Sequence, residues 1–330
     1  MPERFRQAPP ASRAGRVGHP EQLFLVEFPP ETRGNDIGNQ LMIVCDAMRA
    51  RDRATPRRRG PFLSVLLSLC LSLVLSACAS TRPVIKIGLV APFEGRFRAI
   101  GYEAIYAARL AIREINARGG VNGYRIELVA LDDRGESDRA IDAARQLIID
   151  PQVVVVIGHY RPTTTAAALN EYCTGDLPVV AIETTGDPGM CQGRVLFIGR
   201  AESDQWFDER LTFVGNVPDP NSLPSAIDFV TRYNAVPIDG TRAGPIALQT
   251  YDVMYLIFDA FQRVEKIDPH CTPRAGQWGK CRGGVAAALT ASQFTGFGNK
   301  YAFDQAGNLI EGRTYVYEYN ADGRPQLMTP

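Results

Sequence analysis

The apolar and polar residues that follow residue 84 alternate between two periods. A β-branched run at Val84–Ala91 stops at a proline, which predicts a buried strand. The next segment, Gly101–Arg118, places its apolar residues on one helical stripe, and two glycines then end the predicted helix. The same alternation predicts further strands at 125–131, 153–157, 178–182 and 195–198 and further helices at 136–149 and 163–172.

Strand–helix alternation of this kind implies right-handed βαβ units. We therefore predict an α/β fold, a Rossmann-like parallel sheet flanked by helices. Ligands bind such sheets outside the carboxyl ends of the strands. Those ends are residues 92–95, 132–133, 158–163 and 183–185.

The regular alternation stops after residue 203. The later patterns predict a short helix and strand at 207–217 and helices at 222–233, 245–266 and 285–294, followed by antiparallel strands at 300–303 and 313–319. Pro269–Gly284 is expected to be a loop.

The segment before residue 84 carries an export pattern. Three arginines, Arg57–Arg59, precede the uncharged, leucine-rich stretch Phe62–Leu75, and small residues then lead to Cys78. A basic region, an apolar region and a small-residue exit are typical of a secretory signal. The last four residues, Leu-Ser-Ala-Cys, resemble the lipobox of bacterial lipoproteins. That resemblance implies a signal peptide at 48–77 and lipidation of Cys78.

An alternative for this segment stays open. Residues 60–81 form an uncharged stretch of 22 residues, which is long enough for an uncleaved membrane anchor. Both interpretations place residues 79–330 outside the cytoplasm. Residues 1–47 lack sustained periodicity, and we expect that translation starts at Met48 or that this leader is disordered.

Charge and cysteine content narrow the class of protein. The segment before Cys78 holds 11 of the 36 basic and 7 of the 36 acidic residues, which leaves a net charge of about −4 and argues against a nucleic-acid partner. Four cysteines remain beyond Cys78, and an exported chain would pair them as disulfides. Three pairings are possible; the shortest is Cys173 with Cys191 and Cys271 with Cys281, and free buried thiols are the alternative.

Motifs for catalysis and cofactor binding are absent from the sequence. The turn after the first strand has neither a dinucleotide-binding nor a P-loop pattern, and the chain has no nucleophile elbow and no metal-ligand spacing. Carboxylates follow several strands and could do acid–base work, but solvated charges are the favoured interpretation of Glu94, Asp132, Asp133 and Glu183. We predict no enzyme activity, no cofactor and no metal.

One strand end has the residues to bind an anion. Arg161 and the run Thr163–Thr165 open a predicted helix, and helix N-termini offer unsatisfied N–H groups to carboxylates. Arginine can add a bidentate contact. An ordinary N-terminal cap with a surface arginine accounts for the same residues equally well.

Five segments together resemble one family: IKIGLVAPFEG, INARGGVNGYRIELVALDD, VVVVIGHYRPTTTAAA, LPVVAIETT and TYDVMYLIFDAF. They are similar to the Leu/Ile/Val-binding branch of type I periplasmic binding proteins, the solute receptors of ABC transporters. The likeness covers residues 84–204 well and 211–330 more weakly. It implies two lobes with an amino acid clamped between them.

The resemblance also implies which residues bind the ligand. Its carboxylate would lie at the N-terminus of the third helix and at the loop after the fourth strand, and residues 93–102 would cap its side chain. By position, the ligand-binding residues are Tyr160, Arg161, Thr163, Thr164, Glu183, Thr184 and Thr185. The chain departs from the family at Pro162, where a serine is usual, and at Glu183, where a small residue is usual.

The second lobe is predicted to be much reduced. The resemblance divides the chain into a leader (1–47), a signal peptide (48–77), the first part of lobe one (78–204), a remnant of lobe two with crossovers (205–240) and the return to lobe one (241–330). The implied function is an exported, lipid-anchored solute receptor for an amino acid or a similar small carboxylate or amide, with a membrane permease as partner. The alternatives are a non-transport interaction scaffold or degenerate receptor and, less favoured, an enzyme on a Rossmann-like sheet.

Overall fold

The computed structural model describes residues 82–182, 189–199, 212–268, 271, 278–320 and 324–328. The predicted leader, the signal peptide with Cys78, and the loop Glu183–Thr185 lie outside these ranges. Among the helices described, none is long and apolar enough to cross a membrane.

Five parallel strands form the main sheet, as predicted. They are β1 (Val84–Ala91), β2 (Arg125–Asp132), β3 (Val153–Ile157), β4 (Val179–Ala181) and β5 (Val195–Phe197), in the order β2-β1-β3-β4-β5. Every residue of β3 is buried, because helices cover both faces of the sheet.

Three helices connect these strands: α1 (Arg98–Ala117), α2 (Ser137–Ile149) and α3 (Pro162–Thr174). Alternate residues of β1 face opposite sides, as the strand period requires. Ile87 and Leu89 belong to the core that contains α1, whereas Val90 belongs to a second core with α2 and α3. The α/β fold predicted from the alternation is thereby confirmed.

The second half of the chain adds helices to the α1 side and small antiparallel sheets. The helices are α4 (Ile227–Asn234), α5 (Pro245–Ile267) and α6 (Arg282–Thr290). The strands are β6 (Thr212–Gly215), β7 (Gln293–Thr295), β8 (Lys300–Ala302), β9 (Tyr315–Tyr319) and β10 (Pro325–Met328), paired as β10-β9-β6 and β7-β8.

Two expectations for this half were wrong in detail. The helix predicted to run to Phe294 ends at Thr290, and Phe294 lies in β7, where its ring contacts Tyr301 of β8 at 6.2 Å between centroids. The helix predicted from Ser222 begins as two short 3-10 turns, because Pro224 interrupts it before Ile227.

The described part of 205–240 packs against the rest of the chain. Strand β6 pairs with β9, which lies about a hundred residues further along, and α4 contacts α1. Residues 212–240 contribute no parallel sheet of their own. The boundaries assigned to the two lobes stay a prediction.

Two disulfides close loops at the edge of the fold. Cys173 of α3 bonds to Cys191, just before β5, and Cys271 bonds to Cys281 at the start of α6. Both pairs have a Cα–Cα distance of 5.2 Å, within the usual range. This is the shortest of the three pairings that the sequence allowed.

A buried arginine fixes α6 to the sheet. The guanidinium of Arg282 donates hydrogen bonds at 2.9–3.2 Å to four backbone carbonyls, those of Ile148, Asp150, Val153 and Gly175. These carbonyls end α2 and α3 and begin β3. One side chain therefore satisfies orphan acceptors from three elements.

We expect Arg282→Met to lower the free energy of unfolding by about 3 kcal/mol or more, because it leaves several buried carbonyls without donors. Urea unfolding would measure this. Arg139→Met, at an exposed arginine of α2, is the matched control and should change little. Equal stability of both variants would contradict this role of Arg282.

A buried carboxyl joins the two halves of the chain. Glu103 of α1 accepts a hydrogen bond at 3.1 Å from the N–H of Ala247, in the first turn of α5, and another at 2.9 Å from the hydroxyl of Tyr319 in β9. Burial raises the pKa of Glu103 to about 8, although these hydrogen bonds lower it. Gly244 is required beside it, since a Cβ there would come within 2.5 Å of the carboxyl oxygens.

The raised pKa predicts a pH-dependent stability. The folded chain keeps the Glu103 proton up to about pH 8, whereas the ordinary value is 4.5. Unfolding therefore releases a proton between these values, and stability falls as pH rises through this window. We expect Glu103 to contribute a loss of roughly 1 kcal/mol per pH unit between pH 6.5 and 8, since the full slope of about 1.4 kcal/mol per unit halves as the pH reaches the pKa.

Urea unfolding at a series of pH values checks this prediction. Glu103→Gln, which cannot ionise, should lose that part of the slope, whereas Glu136→Gln at an exposed glutamate should keep it. Burial raises the pKa of Asp252 to about 6, so Asp252 changes the pH dependence of stability mainly below that pH. A slope that is the same in Glu103→Gln and the unaltered chain would contradict the prediction.

Candidate functional site

The candidate site lies at the carboxyl ends of β1, β2 and β3. The loops after these strands are residues 92–97, 133–136 and 158–161, and neighbouring parallel strands bring them to one edge of the sheet. We call this edge the rim. The loop after β4, with Glu183–Thr185, lies outside the described residues.

The acidic residues of the rim organise its loops. One carboxylate oxygen of Asp132 accepts backbone N–H groups from Phe93 at 2.7 Å and from Arg134 at 2.9 Å. Glu94 forms an ion pair with Arg134. These contacts give Asp132 and Glu94 structural partners, and the expectation that they do no acid–base work stays a prediction.

Asp133 is fully buried in a polar cluster, so the expectation of a solvated charge was wrong for this residue. Its carboxylate accepts the N–H of Gly135 at 2.9 Å and lies 2.7 Å from Nδ1 of His159. The other ring nitrogen of His159 lies 3.2 Å from the hydroxyl of Tyr172 in α3. The cluster joins the loops after β2 and β3 to α3. The sequence did not predict it, because its only signal was polar residues after two strands, β2 and β3, which are separated in the sheet by β1.

Arg161 is the N-terminal cap residue of α3 and is 5% exposed. Its guanidinium carbon lies 3.8 Å from the ring centroid of Phe97, a geometry that favours a cation–π contact. Phe97 ends the 3-10 turn Gly95–Phe97, within the segment 93–102 expected to cap a ligand. The structure therefore brings this segment and Arg161 together.

The other predicted residues near α3 differ in their surroundings. Tyr160 is fully buried, and its hydroxyl lies 2.8 Å from that of Thr250 in α5. Thr164 is also buried and donates its hydroxyl to the carbonyl of Arg161 at 3.0 Å, as Thr165 does. Thr163 is exposed in the first turn, after Pro162. Thr163 is therefore the residue in this group that can offer a hydroxyl to a ligand from solvent.

The rim can therefore present a helix N-terminus, an arginine, an aromatic ring and a threonine hydroxyl. The positive end of α3 and Arg161 favour an anionic group. Phe97 and Phe93 add apolar surface. This combination suits a small molecule that carries a carboxylate and an apolar part.

Part of this chain is similar to known proteins. Residues 84–209 match the sequence pattern of the family described as periplasmic binding protein. The chain is 31% identical over 111 residues to an amino acid binding protein of Pseudomonas aeruginosa. This alignment covers 34% of this chain and 30% of that protein. It is also 31% identical over 122 residues to Leu/Ile/Val-binding protein homolog 7 of Brucella melitensis, and this alignment covers 37% of this chain and 30% of that protein.

These alignments span less than a third of the length of either relative. Solved structures extend the likeness in fold. The branched-chain amino acid binding protein LivJ of Streptococcus pneumoniae, in complex with isoleucine, aligns with a TM-score of 0.56 at 16% identity, covering 75% of this chain and 100% of that one. The leucine-binding protein LivK of Thermotoga maritima aligns with a TM-score of 0.55 at 15% identity. This alignment covers 74% of this chain and 98% of that one. Residues 84–209, less than half of the chain, are thus similar to the periplasmic binding protein family and to proteins named Leu/Ile/Val-binding, and the solved structures share the fold.

Proposed function

We propose that this chain is a solute-binding component of an ABC transporter and that it binds rather than converts its ligand. The favoured ligand is a branched-chain amino acid or a similar small carboxylate or amide. The names of the relatives support this proposal, since they include amino acid and Leu/Ile/Val-binding proteins. A permease in the membrane would be the partner.

The observation that carries the proposal is the arrangement at the start of α3. The ligand carboxylate would approach the N–H groups of the first turn, the hydroxyl of Thr163 and the guanidinium of Arg161, which lies against Phe97. Charge-assisted hydrogen bonds of this kind are stronger than neutral ones. We propose that Glu183, Thr184 and Thr185 complete the carboxylate site and that Tyr160 and Thr164 support it from below.

Affinity should be modest for this class of receptor. Small-molecule sites normally enclose ~70–90% of the ligand surface. We propose that residues 205–240 are a reduced second lobe, which would leave one side of the ligand less covered. The described residues of that segment pack through α4 onto α1 and through β6 onto β9.

Isothermal titration calorimetry with leucine tests the proposed site. We expect saturable binding of leucine, no binding of isoamylamine, which lacks the carboxylate, and a loss of affinity of about tenfold or more in Arg161→Gln. The exposed Arg139→Gln is the matched control and should bind like the unaltered chain. Leucine binding that is unchanged in Arg161→Gln would contradict the site.

A second candidate is an interaction scaffold that keeps the lobe without the clamp. It is favoured by the single parallel sheet among the described residues and by the short span of the alignments with curated relatives. Calorimetry over a panel of amino acids, combined with light scattering, separates the two. No measurable binding of any amino acid, together with a dimer in solution, would favour the scaffold.

We further propose that the chain is exported and held at the membrane by lipid on Cys78, facing the periplasm or the exterior. The basic cluster, the leucine-rich stretch and the Leu-Ser-Ala-Cys sequence support this. A lipid anchor would keep the receptor near its permease.

Metabolic labelling with radioactive palmitate in a bacterial host tests the anchor. The unaltered chain should incorporate label and sediment with membranes, whereas Cys78→Ser should incorporate none. Cys70→Ser, within the leucine-rich stretch, is the matched control and should be labelled normally. Membrane sedimentation of an unlabelled chain would instead support an uncleaved helical anchor.

A further inference from the structure

A second pocket lies far from the rim, where α1 ends. Helix α1 begins at the rim with Arg98, and Arg118 follows its last residue, so the two are separated by ~30 Å along the helix axis. The cavity has a volume of about 660 Å³ and lies between α1, α4, α5 and the loop after β7. We call it the Arg118 pocket; its walls include Ala117, Arg118, Tyr255, Phe294, Thr295 and Phe297.

The floor of the Arg118 pocket is a hydrogen-bonded chain centred on Glu114. The hydroxyls of Tyr251 and Tyr255 donate to one carboxylate oxygen at 2.5 and 2.8 Å. Arg232 of α4 forms an ion pair with the other oxygen. Burial raises the pKa of Glu114, but these hydrogen bonds more than offset it, so the pKa is lowered and the group is anionic at neutral pH.

The two carboxylates at this pocket already accept hydrogen bonds from the protein. Both oxygens of Glu114 are occupied. The carboxylate of Asp252 accepts the N–H groups of Phe297 and Gly298 at 2.9 Å each. Arg118 donates through Nε to the carbonyl of Glu114 and through Nη2 to Tyr255, which leaves its Nη1 to a ligand. A ligand that accepts hydrogen bonds would use this remaining capacity.

The walls of the pocket are largely aromatic. Phe297 is 39% exposed, although large aromatic side chains are usually more buried. Its ring centroid lies 6.1 Å from that of Tyr251, whose ring is 4.8 Å from that of Tyr255. Asp252 holds the Phe297 backbone in place through the N–H contacts given above. These rings offer a preformed surface for a flat apolar group.

We propose that the Arg118 pocket binds a small arene carboxylate. The ring of the ligand lies against Phe297 and Tyr255, and its carboxylate accepts hydrogen bonds from Arg118. The cavity volume falls in the range of small-molecule sites, ~300–1,000 Å³, and mostly apolar walls with a few convergent polar groups are typical of them. This site is independent of the one proposed at the rim.

Calorimetry of the full-length chain with 2-naphthoate tests this proposal, and naphthalene-2-carboxamide serves as the neutral probe of the same shape. We expect naphthoate to bind about tenfold more tightly than the carboxamide. Arg118→Gln should remove this preference and leave carboxamide binding unchanged. Phe297→Ala should weaken both probes. Arg113→Gln, at an exposed arginine of the same helix, is the matched control.

Two further results decide where the probe binds. An excess of leucine should not displace naphthoate, and Arg161→Gln should bind it normally. The proposal is overturned if naphthoate does not bind, if Arg118→Gln binds it like the unaltered chain, or if leucine displaces it. Thermal unfolding of each variant shows that any loss of binding occurs in a folded chain.

Discussion

The contact of Glu103 with α5 and β9 is the constraint on which the rest of the structure depends. Its partners, Ala247 and Tyr319, lie 144 and 216 residues further along the chain. A carboxyl group buried this completely is costly unless it is hydrogen-bonded or protonated. The returning helix α5 must therefore dock with its first turn on α1. This docking places Thr250 beneath Tyr160 at the rim and Tyr251 beside Glu114 at the opposite end.

Carboxylates in both candidate sites are occupied by donors from the protein itself. Asp132 and Asp133 hold the rim loops, while Glu114 and Asp252 hold the floor and the edge of the Arg118 pocket. Arginines lie beside aromatic rings at both ends of α1, Arg161 over Phe97 and Arg118 over Tyr255. We propose both sites for anions on the same principle, since their carboxylates are hydrogen-bonded within the protein and a cationic side chain lies at each site.

The sequence predicted most of the first half of the fold. The strands Val84–Ala91 and Val153–Ile157 were predicted to the residue, because a short β-branched run buried on both faces has few alternatives. The pairing of β6 with β9 could not be found this way, since it depends on residues a hundred positions apart. At the rim, the strand ends predicted that residues 92–95 and 158–163 would lie at one edge of the sheet, and the resemblance added the segment 93–102. The burial of Tyr160 depends on Thr250, a distant residue that no local pattern indicates.

In the proposed function, the start of α3 at the rim receives the carboxylate of an amino acid. Nuclear magnetic resonance of the isotopically labelled chain during a leucine titration tests it most directly. We expect the amide signals of Thr163 and Thr164 and the ring signals of Phe97 to shift together and to saturate at one leucine per chain. Saturable shifts that leave these residues unchanged, or no shifts at millimolar leucine, would contradict it.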